Sequence, residues 1–315
     1  LEALNGAETY QPGNLAYNNR VQIGNALGSI YGLRYKGVYR YDYDHNGYTT
    51  ASISSYGYAE VNNTGYDAQG NPINTAAAAQ RRHENFTCPI AYDADGNMLT
   101  DAKGIPLPMY YCYNESYRKQ FQGGDAIYED VNHDGQIDRY DMVYLGNSNP
   151  KCNGGFGFTL FYGRFSLNTG FNFRMGNKII NLARANYESM RSNTNQSYAT
   201  TWRWRKNGDE TVIPRALTNV NGYESYNSLP SDRYVENGNY LRLQYVQLRY
   251  EFNPQKLKKY GIRQLTLSAS ANNVWCWSKY TGVDPDVSPQ GFSVSTDNSR
   301  TPRTKSFTCS ANLSF

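Results

Sequence analysis

Between Phe307 and Phe315 the chain alternates without error. Phe307, Cys309, Ala311, Leu313 and Phe315 fall on one face, and Thr308, Ser310, Asn312 and Ser314 on the other. A period of two is that of a β-strand with one apolar and one wet side. The same period runs through Phe156, Phe158, Leu160 and Tyr162. After Gly163-Arg164 it resumes through Phe165, Leu167, Thr169, Phe171 and Phe173. Two such runs joined by so short a connection predict a hairpin. Leu265, Leu267, Ala269 and Ala271 alternate with Thr266, Ser268, Ser270 and Asn272. Leu241, Leu243 and Tyr245 change phase to Val246, Leu248, Tyr250 and Phe252, which predicts a bulge or a strand leaving its sheet. Ile30, Leu33, Tyr35, Val38 and Tyr39 form a less regular strand pattern. Asn177–Met190 places Ile180, Ala183, Tyr187 and Met190 at helical spacing and predicts a short helix within a loop.

The connections are unequal. Gly163-Arg164 and Asn253–Gly261 are short, whereas residues 42–120 and 174–239 are long. Soluble antiparallel sheets also alternate. A strand that closes on an aromatic is more specific, being the pattern of a last barrel strand whose terminal ring lies at the membrane boundary. Outer-membrane barrels place short turns inside and long loops outside. On that basis 42–120 is an extracellular loop insertion and 174–239 a long extracellular loop. Tyr66–Asn71 and Tyr92–Asn97 share a pattern of Gly and Asn that predicts two hairpin tips.

Composition narrows the class. No apolar run reaches the ~18 residues of a membrane helix. Aromatics make up 15% of the 315 residues, 30 of them Tyr, which argues against disorder. Lys and Arg number 31 against 27 Asp and Glu, too even a balance for a nucleic-acid partner. The five cysteines form no CxxC motif. Cys88 and Cys112 lie in a polar region where they can pair in an oxidising compartment or stay as free thiols.

Signatures of catalysis are missing: the sequence has no GxSxG, no HExxH and no P-loop. The three histidines, His45, His83 and His133, are scattered through polar segments. No carboxylate pair stands out, so the reading is of a protein that is not an enzyme. Two Trp-x-Trp pairs remain. Trp275 and Trp277 follow the Leu265–Ala271 strand and suit a membrane-interface girdle. Trp202 and Trp204 are weak candidates for substrate contact, with packing inside their loop as the plainer alternative.

One local motif carries chemistry. Asp130, Asn132, Asp134, Gln136, Asp138 and Asp141 occupy positions 1, 3, 5, 7, 9 and 12 of a twelve-residue segment, with Gly135 at 6 and Ile137 at 8. This is the Ca²⁺-loop spacing of EF-hand and dockerin modules, with Gln136 offering its backbone carbonyl. An Asx-rich turn capping its own backbone has the same composition. Asp42, Asp44, Asn46 and Gly47 lack an acid at the twelfth position and read as a turn.

These residues lead to a resemblance. Gly124-Asp125 followed by Asp130–Asp138 resembles the "GD…DVNGDGxID" stretch of SusC/RagA-type TonB-dependent outer-membrane transporters. Ser231–Leu243 is similar to their "S-RFVEDGSYLRLKN" segment. Ser270–Trp275 with Tyr280–Asp286 looks like "SGQNLF…KYTGYDPE", and Pro302–Phe315 like "PRxxTFGLNLSF". Gly28–Tyr39 resembles an upstream "GSFYGYKYDGIY". The matches are collinear from about residue 28 to the end, with 42–120 outside them. The resemblance implies an all-β fold, the C-terminal portion of a barrel of about 22 strands. About six to eight of those strands would lie in residues 1–315, and no plug or TonB box is found. It implies outer-membrane import of oligosaccharides or oligopeptides in a Bacteroidota-type bacterium, energised by TonB through an N-terminal part. A SusD-like surface lipoprotein would act as lid, with outer-membrane lipid around the wall. The competing readings are a soluble calcium-stabilised carbohydrate-binding β-sandwich and a complete small barrel serving as adhesin or receptor.

Overall fold

The computed structural model describes residues 17, 26–41, 88–104, 106–114, 117–206, 208–218, 225–287 and 294–315. The Asp42–Gly47 turn, the Tyr66–Asn71 tip, His45 and His83 lie outside the described residues. The chain divides into two compact units. One is built from Ser29–Leu145 and Ala183–Tyr234, the other from Ala26–Gly28, Gly146–Leu182 and Val235–Phe315.

The second unit is dominated by five long strands, β1 (Cys152–Tyr162), β2 (Phe165–Met175), β3 (Tyr240–Glu251), β4 (Gln264–Ser278) and β5 (Ser306–Ser314). They form one antiparallel meander in the order β5-β4-β3-β2-β1. At 9 to 15 residues, each reaches the roughly 9–11 residues a tilted membrane strand needs. Five such strands occur among the described residues, against the six to eight expected from the sequence. No helix among the described residues is long and apolar enough to cross a membrane.

Register turns the alternation of single strands into rows across the sheet. Leu160, Leu167, Leu248, Ala269 and Cys309 stand side by side, and so do Phe158, Thr169, Val246, Ala271 and Phe307. On the opposite face Thr159, Asn168, Gln247, Ser270 and Thr308 form one row, and Ser166, Arg249, Ser268 and Ser310 another. The apolar face stays exposed: Leu160 is 57%, Leu248 46% and Phe307 78% accessible. A β-sandwich would bury such a face against a second sheet. A membrane barrel turns it to lipid and keeps the polar face inside.

The predicted phase change in β3 is a bulge. Leu243 and Tyr245 oppose the consecutive residues Phe171 and Gly170, so Gln244 is the extra residue. The insertion keeps Leu241 and Leu243 on the same face as Val246, Leu248 and Tyr250, and it swings Tyr245 to the polar face. There the Tyr245 ring covers Gly170, occupying the space a Cβ would need. On β4, Asn273 adopts a φ of 52° at the same level. The β1–β2 hairpin turns on Gly163, whose φ of 60° at the first central position suits a tight turn of the II′ kind. The β3–β4 connection is equally local. The Asn253 side chain accepts from the Gln255 amide, Pro254 starts a one-turn helix to Leu257, and Gly261 ends the following 3-10 turn.

At the other end of the wall, short elements are tied by polar side chains. Lys178–Asn181 pairs with Val235–Asn237 and, in parallel, with Thr296–Asp297. The predicted helix over Asn177–Met190 is therefore shorter, Leu182–Glu188. Ile179 and Ile180 instead serve a buried strand, where β-branched side chains fit best. Arg242 pairs with Asp284 at 2.5 Å and Arg174 with Asp286 at 3.3 Å. Glu236 accepts from the Thr281 amide and hydroxyl, and the Tyr280 hydroxyl donates to Asp297 at 2.7 Å.

The first unit has its own core of Tyr31, Leu33, Tyr39, Met109, Tyr111, Phe121, Tyr128, Ile137, Tyr226 and their neighbours. The expected strand at Ile30–Tyr39 is two short ones, Ser29–Gly32 and Tyr35–Val38, the latter paired with Ala126–Tyr128. Their irregular apolar spacing reflects burial on more than one side rather than a place in the wall. The core shows why Tyr is abundant: a ring buries area while its hydroxyl meets a backbone group. Tyr128 donates to the Tyr226 carbonyl and accepts from the Leu229 amide, and Tyr35 donates to the Val212 carbonyl. Tyr92–Asn97 forms the expected tip, with the Asp93 and Asn97 main chains bonded at 2.9 Å.

The facing of the wall can be tested in the bilayer-inserted full-length protein by denaturant unfolding. Val246→Lys, on the apolar face at mid-wall, is expected to cost about 2–4 kcal/mol. Gln247→Lys, its neighbour on the polar face, is expected to leave the transition in place. Equal losses from both would count against the assignment of faces.

Candidate functional site

The acidic loop leaves the core at the end of Ala126–Tyr128 and returns to it at Ile137, which is fully buried. Between them the side chains fold onto their own backbone. Asp130 accepts from the amides of Asp134 (3.3 Å) and Gly135 (2.8 Å), and Asp134 from that of Gln136 (2.8 Å). The Asn132 side-chain oxygen Oδ1 accepts from the Asp134 amide, while its Nδ2 donates to the Asp134 carboxylate. Left-handed φ values at His133 and Gly135 make the sharp bend. Asp138 and Asp141 close the loop reciprocally. Asp138 accepts from the Tyr140 amide at 2.7 Å, and Asp141 accepts from the amides of Asp138 and Val131, both at 2.8 Å.

Asp141 is fully buried, and that burial pushes its carboxyl up to about 7 despite its two amide donors; the charges of Asp130 and Asp138 push the same way. Burial also raises Asp130 and Asp138, with Asp134 adding like charge to each. Among the described residues no three His, Cys, Asp or Glu side chains converge into a ready metal cluster. The fit to a cation therefore rests on mixed donors. A carboxylate oxygen bonded to one amide keeps a second lone pair, so Asp130, Asn132 and Asp134 retain acceptor capacity in this fold. Asp141, whose two oxygens likewise accept one amide each, also clasps the loop. The Gln136 side chain turns away to the Tyr110–Gln120 hairpin, where it accepts from Arg118 and from the Cys112 thiol. Neither Cys88 nor Cys112 is in a disulfide.

A cavity of about 440 Å³ opens beside the loop, lined by Arg34, Lys36, Tyr39, Tyr128, Glu129 and His133 among others. Glu129 bridges Arg34 and Lys36, each at 2.9 Å, and these two cations hold its carboxyl below the usual range against partial burial. The two tryptophan candidates separate. Trp202 is 68% exposed, while the Trp204 ring packs against Gly124, filling the space a Cβ would need, and its indole N–H donates to the Arg40 carbonyl at 3.2 Å. Trp275 and Trp277 project from the end of β4, on the rows of Phe171 and Phe173.

Two polar nodes escape any reading by spacing. Asp125, wholly buried, accepts from Arg215 at 2.7 and 3.3 Å, from Asn227 at 2.9 Å and from the Gln122 amide at 2.8 Å. Burial drives its carboxyl upward, and the Arg215 guanidinium and these donors pull it back. The node joins Asp125 to residues 90 and 102 positions further along the chain. Arg233, inside the Ser231–Leu243 motif, pairs with Glu188 at 2.8 Å and stacks over the rings of Tyr35 and Tyr234. Asp125 stands in a recognisable motif, but its partners carry no local signal.

No protein-family model matches the chain. The TonB-dependent receptor P39 of Formosa agariphila is 29% identical over 309 residues, which cover 94% of this chain and 26% of that protein. The TonB-dependent receptor P26 of the same organism is 31% identical over 168 residues, 53% of this chain and 17% of that protein. The chain thus spans about a quarter, or less, of the length of these relatives. A solved structure of the RagAB peptide transporter superposes with a TM-score of 0.52 at 19% identity, covering 61% of this chain and 21% of that one. The RagAB peptide importer in its closed-closed state gives 0.50 at 17% identity, covering 95% and 25%. The resemblance to TonB-dependent outer-membrane transporters holds across the chain, and its fold is part of a large antiparallel transmembrane β-barrel. The location is the outer membrane of a Bacteroidota-type bacterium. Relatives that are receptors and transporters point to a protein that is not an enzyme.

Removing one partner of the Asp125 node leaves the other buried and uncompensated. Arg215→Met is expected to destabilise the first unit by roughly 3 kcal/mol. Adding Asp125→Leu to Arg215→Met should recover part of the loss. Thermal unfolding of the full-length protein reads both, and a single variant with wild-type stability would remove the node from the structural account.

Proposed function

We propose that the chain is the C-terminal barrel portion of a nutrient importer of the SusC/RagA kind. It takes up oligosaccharides or oligopeptides across the outer membrane with TonB as the source of energy and a SusD-like surface lipoprotein as lid. The observation that carries this reading is similarity to a TonB-dependent receptor over 94% of the chain, on a sheet whose exposed apolar rows and polar rows suit a membrane wall. Peptide transport by the RagAB complex supports the oligopeptide arm. The cavity beside the acidic loop, with tyrosines at its floor and paired charges at its rim, suits a ligand that is both amphipathic and rich in hydrogen-bonding groups. In this reading the long segments 42–120 and 174–239 face the substrate and the lid. Expression of the complete reading frame in an outer membrane should give uptake of labelled oligosaccharide or oligopeptide that stops when TonB is deleted. Uptake that is indifferent to TonB, or none of either class with a SusD-like lipoprotein co-expressed, would reject it.

The acidic loop is proposed to take up Ca²⁺. Asp130, Asn132 and Asp134 supply side-chain oxygens, Gln136 its carbonyl, and Asp138 a direct or water-bridged contact, with Asp141 closing the site. Its role is to stiffen the segment that leads into the β1–β2 hairpin. Millimolar Ca²⁺ is expected to raise the melting temperature of the wild type and to leave that of Asp134→Ala where it was. A wild type equally stable in Ca²⁺ and in chelator, with no metal found by mass spectrometry, would leave the loop a self-capped turn.

A further inference from the structure

The apolar face of the wall is not evenly filled. Near the short-turn end two rows fall off in side-chain size, from Leu248 to Ala269 and Cys309, and from Tyr250 and Leu267 to Ala311. The result is a groove of about 410 Å³, walled by Phe165, Leu248, Tyr250 and Leu267 and floored by the small residues. The Phe165 and Tyr250 rings, 4.6 Å apart, stiffen one side. Ser268 and Ser310 also line the groove, but their side chains stand on the opposite face of the sheet, where the two hydroxyls bond each other at 2.8 Å. The groove is therefore an apolar slot.

The same strand ends carry a concentration of positive charge. Residues 252–263 include Lys256, Lys258, Lys259 and Arg263 and no acid, and Arg164 occupies the neighbouring turn. Main-chain bonds hold these connections to the wall, from Glu251 to the Arg164 carbonyl at 3.0 Å and from Arg263 to the Ser314 carbonyl at 2.8 Å. A second, polar hollow of about 430 Å³ lies between Arg164, Glu251, Pro254 and Arg263. Its one carboxylate, Glu251, is already paired with Arg249 at 2.6 Å. Exposed rings of Tyr162 and Tyr260 mark this level as the height of an aromatic belt.

We infer that this end of the wall holds an anionic glycerophospholipid of the inner leaflet. One acyl chain fills the groove, and the phosphate rests on Arg164, Arg263 and the lysines of the β3–β4 connection. The inference rests on the membrane-barrel reading, since only there is the slot faced by acyl chains. Charge complementarity selects the headgroup, because uncompensated cations beside a lipid surface attract anionic lipids. Such a lipid would fasten the short-turn end of these strands to the bilayer.

The test uses the full-length protein in detergent, titrated with dioleoyl phosphatidylglycerol or dioleoyl phosphatidylcholine and read by native mass spectrometry. Phosphatidylglycerol should be retained in preference. Arg164→Gln with Arg263→Gln should lower its retention about fivefold per cation removed and leave phosphatidylcholine unchanged. Ala311→Phe, which fills the slot, should lower retention of both lipids. Lys279→Gln, beyond the opposite end of β4, should change neither. Equal retention of the two lipids by the wild type, or a double variant that holds phosphatidylglycerol as well as the wild type does, would overturn the inference. A protein that does not insert into bilayers would instead overturn the barrel reading beneath it.

Discussion

The wall depends on one constraint: in hydrocarbon, every main-chain amide and carbonyl must find its partner within the protein. Antiparallel pairing meets that demand on both sides of β2, β3 and β4 and on one side of β1 and β5, and the pairing fixes the register along the sheet. Because side chains alternate with a period of two, a single extra residue would send the rest of a strand's apolar set to the wrong face. Gln244 is such an extra residue, and it is what keeps Leu243 and Val246 on one face although their spacing is odd. The Tyr245 ring over Gly170 is the counterpart of that insertion on the polar side. Both features follow from holding two incompatible phases in a single strand.

The first unit is governed by a different balance. Its core includes the tyrosines Tyr31, Tyr39, Tyr111, Tyr128 and Tyr226, each of which brings a polar atom into the interior that must be satisfied. Backbone groups of distant segments meet that need, at Tyr128 with Tyr226 and Leu229, and at Tyr35 with Val212. The Asp125–Arg215–Asn227 node does the same with charge. Breaking it would leave a carboxylate or a guanidinium stranded, so it fixes how the segment after Gly124 meets those before and after 225. The acidic loop hangs from this framework through Ile137 and the Asp141 clasp.

Local chemistry made much of the wall legible. Gly163 between two aromatic runs, Asn253-Pro254 before a turn ending at Gly261, and the alternation of Phe307–Phe315 each carry their own instruction in adjacent residues. The acidic loop was equally visible, because its side chains bond to backbone only two to five residues away or close the loop from its end. The Ile179–Ile180 strand was hidden inside a helical pattern, since the partners that make it a strand lie at 235–237 and 296–297. The split of Ile30–Tyr39 into two short strands was hidden for the same reason.

By itself, then, the sequence determined those things that neighbours in the chain can settle: which runs are strands, where they turn, which face is apolar, and the capped loop at 130–141. Tertiary structure alone decided which residues stand together across those strands, that Arg215 and Asn227 would satisfy Asp125, and that Arg233 would meet Glu188. It also decided that Ala269, Cys309 and Ala311 would line up into a hollow beside larger neighbours. The reason is physical. Alternation and turn conformation arise from torsions and bonds within a few residues, whereas burial, charge pairing and cavity shape arise from surfaces brought together by the whole fold.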